Sequence, residues 1–311
     1  MDMKLCRFEL NGQVCVGLSL DGQNLINLTA AGIERLTPLL ESDNLSKRLV
    51  ALAKSGLPIH KVAAVRLLAP VERQEVWAAG VTYLRSKKAR MEESDFSATA
   101  YDRVYDAPRP EIFFKSLAEK VVATGEPVGI RRDAKWNVPE PELALVISSR
   151  GEVVGYTAGN DMSSRDIEGE NLLYLPQAKV YDRSCALAPW IAVGVSESQV
   201  RQWNIGVKIV RKGKVIFAGA QRRGDTFTIA DRIMHIVQGS LINPIAACVA
   251  RNQNRFQNGN TRANEGSQGA REARNSGLSH QIAKTRRLHK EHIECGPTKI
   301  CFAQQFKNNH Q

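Results

Sequence analysis

From about residue 75 to residue 220 the apolar residues come in short runs closed by Gly, Pro, Asp or Asn, with little helical spacing between them. This pattern constrains the fold more than any other feature. Ile112–Lys115, Leu143–Ile147, Val153–Ala158, Trp190–Val195 and Ile205–Val210 each read as a strand, and Glu75–Tyr83 reads as a buried strand ahead of a charged helix over Arg85–Glu93. Successive strands without intervening helices argue against a doubly wound sheet and predict a β-rich α+β fold. The first seventy residues read as a small unit of their own. Alternation at Cys6, Phe8 and Leu10, and again at Val14, Val16, Leu18 and Leu20, with turns at Asn11-Gly12 and Asp21-Gly22, predicts a β-meander. Helical spacing follows over Ala30–Leu52, then a strand at Val62–Leu68 ended by Pro70, which sets a domain boundary near residue 70.

The chain's 311 residues, 43% of them apolar, suffice for a sizeable core. That material is unevenly spread: residues 251–311 hold fifteen Asn or Gln against eight Ile, Leu, Val or Phe, too few for a core. Residues 221–311 are therefore expected to form an aberrant, basic, disordered tail. The net charge of +11 divides in the same way, since 251–311 alone contribute +7. The remaining +4 suits an anionic metabolite better than a phosphate backbone, and no specific nucleic-acid motif appears. Neither a secretory signal nor an apolar stretch of about 18 residues is visible, and the six scattered cysteines suit a reducing compartment, so a soluble cytoplasmic protein without a membrane partner is expected.

The chemistry concentrates in Val138-Pro139-Glu140-Pro141-Glu142-Leu143-Ala144-Leu145-Val146-Ile147. Residues two apart on a strand share a face, with Cα atoms roughly 6.6 to 7 Å apart, so Glu140 and Glu142 can close on one cation. The flanking prolines deny ladder donors and place the pair at a strand start or edge. A Glu-x-Glu on its own is more often a solvated, acidic strand edge. Asp161, just past the strand at Val153–Ala158 in Gly159-Asn160-Asp161-Met162-Ser163-Ser164-Arg165-Asp166, supplies a third carboxylate. Only His60 precedes residue 235, so an all-oxygen site for Mg2+, Mn2+ or Ca2+ is favoured over a nitrogen or thiolate site. Glu111 in Arg109-Pro-Glu-Ile-Phe-Phe-Lys115 and Lys179 in Tyr174-Leu-Pro-Gln-Ala-Lys179 could divide the roles of base and acid, though either residue alone suits a surface. In the tail, His289, His292, Cys295 and Cys301 mimic a zinc cluster but fit no common template.

Together, Glu140-Pro-Glu142, Asn160-Asp161-Met-Ser-Ser-Arg165-Asp166, Trp77-Ala-Ala-Gly-Val-Thr-Tyr83 and Glu170-Asn-Leu-Leu-Tyr-Leu-Pro-Gln-Ala-Lys179 resemble the fumarylacetoacetate hydrolase family, most closely its 2-keto-3-deoxy-sugar-acid dehydratases. The resemblance runs from about residue 70 to 220. It implies a mixed β-sandwich roll behind a small N-terminal α+β domain, in homo-dimers or tetramers. It further implies that Glu140, Glu142 and Asp161 bind Mg2+, that Glu111 and Lys179 are catalytic, and that Tyr83, Arg90, Arg165 and Lys179 contact the substrate. The expected reaction is dehydration of a 2-keto-3-deoxy-pentonate to a 2-oxo acid semialdehyde. A carbon–carbon hydrolase or decarboxylase of an acylpyruvate is the alternative within the family. Beyond residue 220 the family's Thr-Gly-Thr-like loop is not found, which keeps open an inactive frameshifted remnant or a basic binding protein.

Overall fold

The computed structural model describes residues 3–80 and 111–222, with short strands at 246–249, 291–292 and 305–306. Strands β1 (Met3–Leu10) and β2 (Gln13–Ser19) form the expected hairpin, with Asn11 and Gly12 both at positive φ (52° and 79°), the twist that a two-residue turn between strands needs. The helical spacing over 30–52 resolves into two short helices, Leu36–Leu40 and Leu45–Ala53, broken where Asn44 takes a left-handed conformation (φ 53°). Leu36, Leu39, Leu40, Leu45 and Leu49 cover Leu5 and Leu18, closing a first core on one face of β1. Phe8, Cys6 and Leu25 form a second core on the opposite face. The run expected as one strand over 62–68 is a 3-10 turn at Val62–Ala64 followed by a strand at Arg66–Leu68. The reason lies in β1's outer edge, which is shared: Arg7–Glu9 pair with that strand, while Met3–Leu5 pair with Ile191–Val193.

The architecture is strand-rich α+β. Further strands are β3 (Asn24–Asn27), β4 (Ile59–Lys61), β5 (the Arg66–Leu68 strand), β6 (Val76–Ala79), β7 (Ile112–Ser116), β8 (Val121–Val122), β9 (Pro127–Val128) and β10 (Asn137–Val138). They are followed by β11 (Pro141–Ile147), β12 (Val153–Asp161), β13 (Ser163–Ser164), β14 (Cys185–Leu187), β15 (Ile191–Val193), β16 (Asn204–Arg211), β17 (Lys214–Arg222) and β18 (Ala246–Val249). The main sheet runs β4-β3-β2-β1-β15-β12-β11-β18-β6-β7, with β14 joined to β12, β8 joined to β14, and β5 joined to β1. The N-terminal strands therefore continue the sheet that carries β11 and β12. The expected helix at 85–93 lies outside the described residues, as does most of the stretch read as a tail. Within that stretch, however, β18 runs parallel to β6 and antiparallel to β11, filling the place between them.

All seven residues of β11 are buried, which is why its sequence is an unbroken apolar run after Glu142. Leu143, Leu145 and Ile147 pack on Ala79, Val200 and Ile205, while Ala144, on the other face, packs on Val76 and Leu187. Cys6, Cys15 and Cys185 are free and buried. Among the described residues no helix is long and apolar enough to cross a membrane.

At Gly155, next to the residue that pairs β12 with β15, the two strands leave no room for a side chain. A Cβ there would collide with Ile191 Cγ2 and stand 3.0 Å from the Ala192 carbonyl oxygen. Gly155→Ala is expected to cost about 1–3 kcal/mol of stability, read as a lower urea midpoint; an unchanged midpoint would show that the β12–β15 contact is slack.

Candidate metal centre

The antiparallel pairing of β11 with β12 builds the site. Pro141 faces Asn160 and Glu142 faces Gly159, and the ladder continues one step outward through the Asp161 amide, which donates to the Glu140 carbonyl (2.9 Å). Glu140 and Asp161 thus stand opposite one another. Glu142 lies two residues along on the same face as Glu140, with no side chain opposing it at Gly159. Asn160 fixes the approach, because its Oδ1 accepts the Glu140 amide proton (3.0 Å). Carboxylate oxygens of Glu140, Glu142 and Asp161 come within 4.8 Å of one another, and the three residues are 1%, 2% and 3% exposed.

Among the described residues, three buried cations surround them. Lys179 ends the short helix Leu175–Lys179, started by Pro176 in its first turn, and its Nζ donates to Glu140 Oε2 (2.6 Å) and Asp161 Oδ2 (2.9 Å). Lys115, on β7, pairs with Asp161 Oδ1 (2.5 Å). Arg165 opens the helix Arg165–Glu170 and binds Glu140 Oε1 through Nη2 and Glu168 Oε2 through Nη1 (3.0 Å), while Ser163 Oγ donates to the same Glu168 oxygen (2.6 Å). Burial alone would lower the Lys179 pKa, but Asp161, Glu140 and Glu168 outweigh it and raise it, so the ammonium stays charged. Burial likewise pushes Asp161 up, yet Lys115 and Lys179 more than compensate and hold its carboxyl below the usual range.

Glu142 is the odd member. Four buried carboxylates, Glu140, Glu142, Asp161 and Glu168, face three buried cations, and Glu142 Oε2 is buried without a hydrogen-bond partner among the described residues. Burial, then Asp161 and Glu140, raise its pKa well above the glutamate range. An ionised carboxylate in that position calls for one more positive charge, and the donors are hard oxygens, so the residues present fit a divalent cation such as Mg2+.

The structure brings together Glu140, Glu142, Asp161, Lys179 and Arg165 of the residues expected from sequence. Arg165 is only 2% exposed, with its guanidinium turned to Glu140 and Glu168. Glu111 is not one of the three converging carboxylates; it precedes β7 with its side chain folded over Gly80, where any Cβ would collide with Glu111 Oε2. Tyr83 and Arg90 lie outside the described residues. Sequence reasoning passed over Lys115 and Glu168. Strand parity could have found the first, since Lys115 shares a face of β7 with Phe113, and the i,i+3 spacing to Arg165 could have found the second.

Because the folded-state pKa of Glu142 is raised, the metal-free protein loses stability as pH climbs from about 4.5 through that higher value. Glu142→Gln removes this proton linkage. Thermal melts are therefore expected to show a metal-free variant at least as stable as the parent at pH 8, but with no further stabilisation by Mg2+. A variant still raised in Tm by Mg2+ would take Glu142 out of the ligand set.

Comparison with known proteins finds relatives of one family. The model of the fumarylacetoacetate (FAA) hydrolase C-terminal domain matches residues 75–261, more than half of the chain and well past residue 220. The chain is 47% identical over 165 residues to the "Probable 2-keto-3-deoxyxylonate dehydratase" of Haloferax volcanii, a match covering 53% of this chain and 56% of that protein, so little more than half of that relative is spanned. It is 37% identical over 223 residues to the 2-dehydro-3-deoxy-D-arabinonate dehydratase of Saccharolobus solfataricus, covering 70% of this chain and 75% of that one. A solved structure of 2-keto-3-deoxy-D-arabinonate dehydratase complexed with magnesium and 2,5-dioxopentanoate superposes with a TM-score of 0.71 at 25% identity, over 99% of this chain and 100% of the other. On the extent of the domain match and the agreement in fold, the chain belongs to the fumarylacetoacetate hydrolase family.

Proposed function

We propose that the chain is a metal-dependent hydro-lyase that removes water from a 2-keto-3-deoxy-pentonate, giving 2,5-dioxopentanoate. One observation carries the reading: three carboxylates converge in a closed site where the cations present leave Glu142 uncompensated. The similarity to proteins named as dehydratases of this substrate class supports it. We take Mg2+ as the resident ion, with Mn2+ or Ca2+ able to occupy the same oxygens, held by Glu140, Glu142 and Asp161.

A divalent cation bound there would polarise the carboxylate and 2-oxo group of the substrate and so acidify C3. We assign removal of the C3 proton to Glu111. Lys179, held protonated by Asp161, Glu140 and Glu168, is poorly suited to act as a base, and we assign it a hydrogen bond that assists departure of the C4 hydroxyl. Loss of the C3 proton and the C4 hydroxide amounts to one water and leaves a C3=C4 enone that bears the C5 alcohol; transfer of a C5 proton gives the dienol, whose ketonisation with protons at C3 and C4 gives the C5 aldehyde. Arg165 in this reading holds Glu140 in place, and Tyr83 and Arg90 supply substrate contacts. The one histidine before residue 235, His60, sits half-buried on β4 against Phe8 (ring centroids 6.2 Å apart), among the N-terminal strands. That placement favours dehydration over a hydrolase that activates water with a histidine–glutamate pair.

The proposal extends to organisation. Residues 1–70 form a flanking domain, residues 71–220 carry the ligands, and the chain works in the cytoplasm as a homo-oligomer, a dimer or a tetramer.

The test is Mg2+-dependent consumption of a 2-keto-3-deoxy-pentonate with formation of 2,5-dioxopentanoate. Turnover is expected to vanish with EDTA and return with Mg2+. Glu111→Gln is expected to lower kcat by about 10²- to 10⁴-fold while leaving the Mg2+-induced rise in Tm intact. Full turnover by that variant would remove Glu111 from the base role, and soluble, metal-binding protein without turnover on any such substrate would sink the dehydratase reading.

A further inference from the structure

Lys115 lies on β7, away in sequence from each of the three carboxylates, and is 1% exposed overall with its side chain fully enclosed. An ammonium has three N–H donors. Here two are donated, to the Met162 carbonyl oxygen (3.0 Å) and the Lys179 carbonyl oxygen (2.5 Å), and the ammonium forms an ion pair with Asp161 Oδ1 (2.5 Å). Two of these partners flank the carboxylates directly, since Met162 follows Asp161, and Lys179 closes the helix whose own ammonium reaches Glu140 and Asp161. The Lys179 carbonyl also accepts from Ser184 Oγ (2.8 Å), so the end of that helix is tied from two sides. The Tyr181 ring lies 5.9 Å from Lys115 Nζ and walls off that side.

We propose that Lys115 is a positioning residue of the metal centre: a buried three-way clamp that sets the orientation of the Asp161 carboxylate and anchors the backbone of Lys179. Lys115 holds one oxygen of Asp161 and Lys179 the other, so the carboxylate plane is fixed before any cation arrives. The inference rests on the reading of Glu140, Glu142 and Asp161 as metal ligands. It goes beyond that reading by assigning a determinant of ion affinity to a residue that touches neither ion nor substrate.

The sign of the effect separates a clamp from a mere neighbouring charge. Removing a positive charge beside a cation site should tighten cation binding if Coulombic repulsion were its whole contribution. Removing a clamp should weaken binding, because the freed carboxylate must be ordered at binding; outer-shell partners of metal ligands typically contribute about 10- to 100-fold in affinity.

The experiment is Mn2+ titration of the full chain, followed by electron paramagnetic resonance of the free ion, for the parent, Lys115→Met and Lys115→Arg, with circular dichroism to verify folding. The expected result is a Kd raised by about 10-fold or more in folded Lys115→Met. An unchanged or lower Kd in that variant would overturn the clamp. Should Lys115→Met fail to fold, Lys115→Arg decides: its planar guanidinium keeps the charge but cannot aim three donors from one nitrogen, so weaker Mn2+ binding supports the clamp and parent-like binding overturns it. A parent chain that binds no Mn2+ would remove the metal centre itself, an outcome distinct from a parent that binds and variants that bind equally well.

Discussion

Four carboxylates cluster at the end of the β11–β12 ladder farthest from the turn that joins the two strands, and an ionised carboxylate removed from water is very costly unless it is paired. The requirement for pairing explains why distant parts of the chain meet there. Lys115 comes from β7, Arg165 from the helix that follows β13, and Lys179 from the next short helix, and each brings its element to the same pair of strands. Two of these elements are too short to be stable on their own; the helix Leu175–Lys179 has five residues. Their positions are fixed by what their terminal cations bind, with apolar packing a secondary influence. The network is therefore structural and chemical at once, and its one imbalance, at Glu142, is where a bound ion fits.

Much of the scaffold was legible because it is local. Alternation and turn residues located β1, β2, β7, β11, β12, β15 and β16 to within a few residues, and Asn11-Gly12 specified a hairpin turn that the backbone adopts. Pro139 and Pro141 marked a strand start correctly, although β11 is not an edge, since β12 and β18 flank it. The i,i+2 spacing was enough to put Glu140 and Glu142 on one face.

What escaped the sequence is long-range. Nothing local says that Asp161 pairs across the ladder from Glu140, since that depends on the register of two strands joined by a loop. Lys115 closes an apolar run, where a lysine ordinarily reaches solvent, and only the arrival of Asp161 and Lys179 makes burial tolerable. The same holds for the break at Asn44, whose left-handed backbone splits what the spacing suggested was one helical segment. The compositional change after residue 220 hid a strand at Ala246–Val249, because four residues between segments of different character carry little periodic signal.

The place of that strand has a consequence for how the molecule is made. β18 supplies the second neighbour of β11, the strand that carries Glu142, and joins β11 to β6. During synthesis every residue of the acidic cluster and its three cations leaves the ribosome well before residue 246. Until then β11 and β6 both present open edges, the form in which strands pair with the wrong partner. The last-made segment of the sheet therefore closes its middle, and the nascent chain must keep an ionic centre assembled beside an unfilled slot.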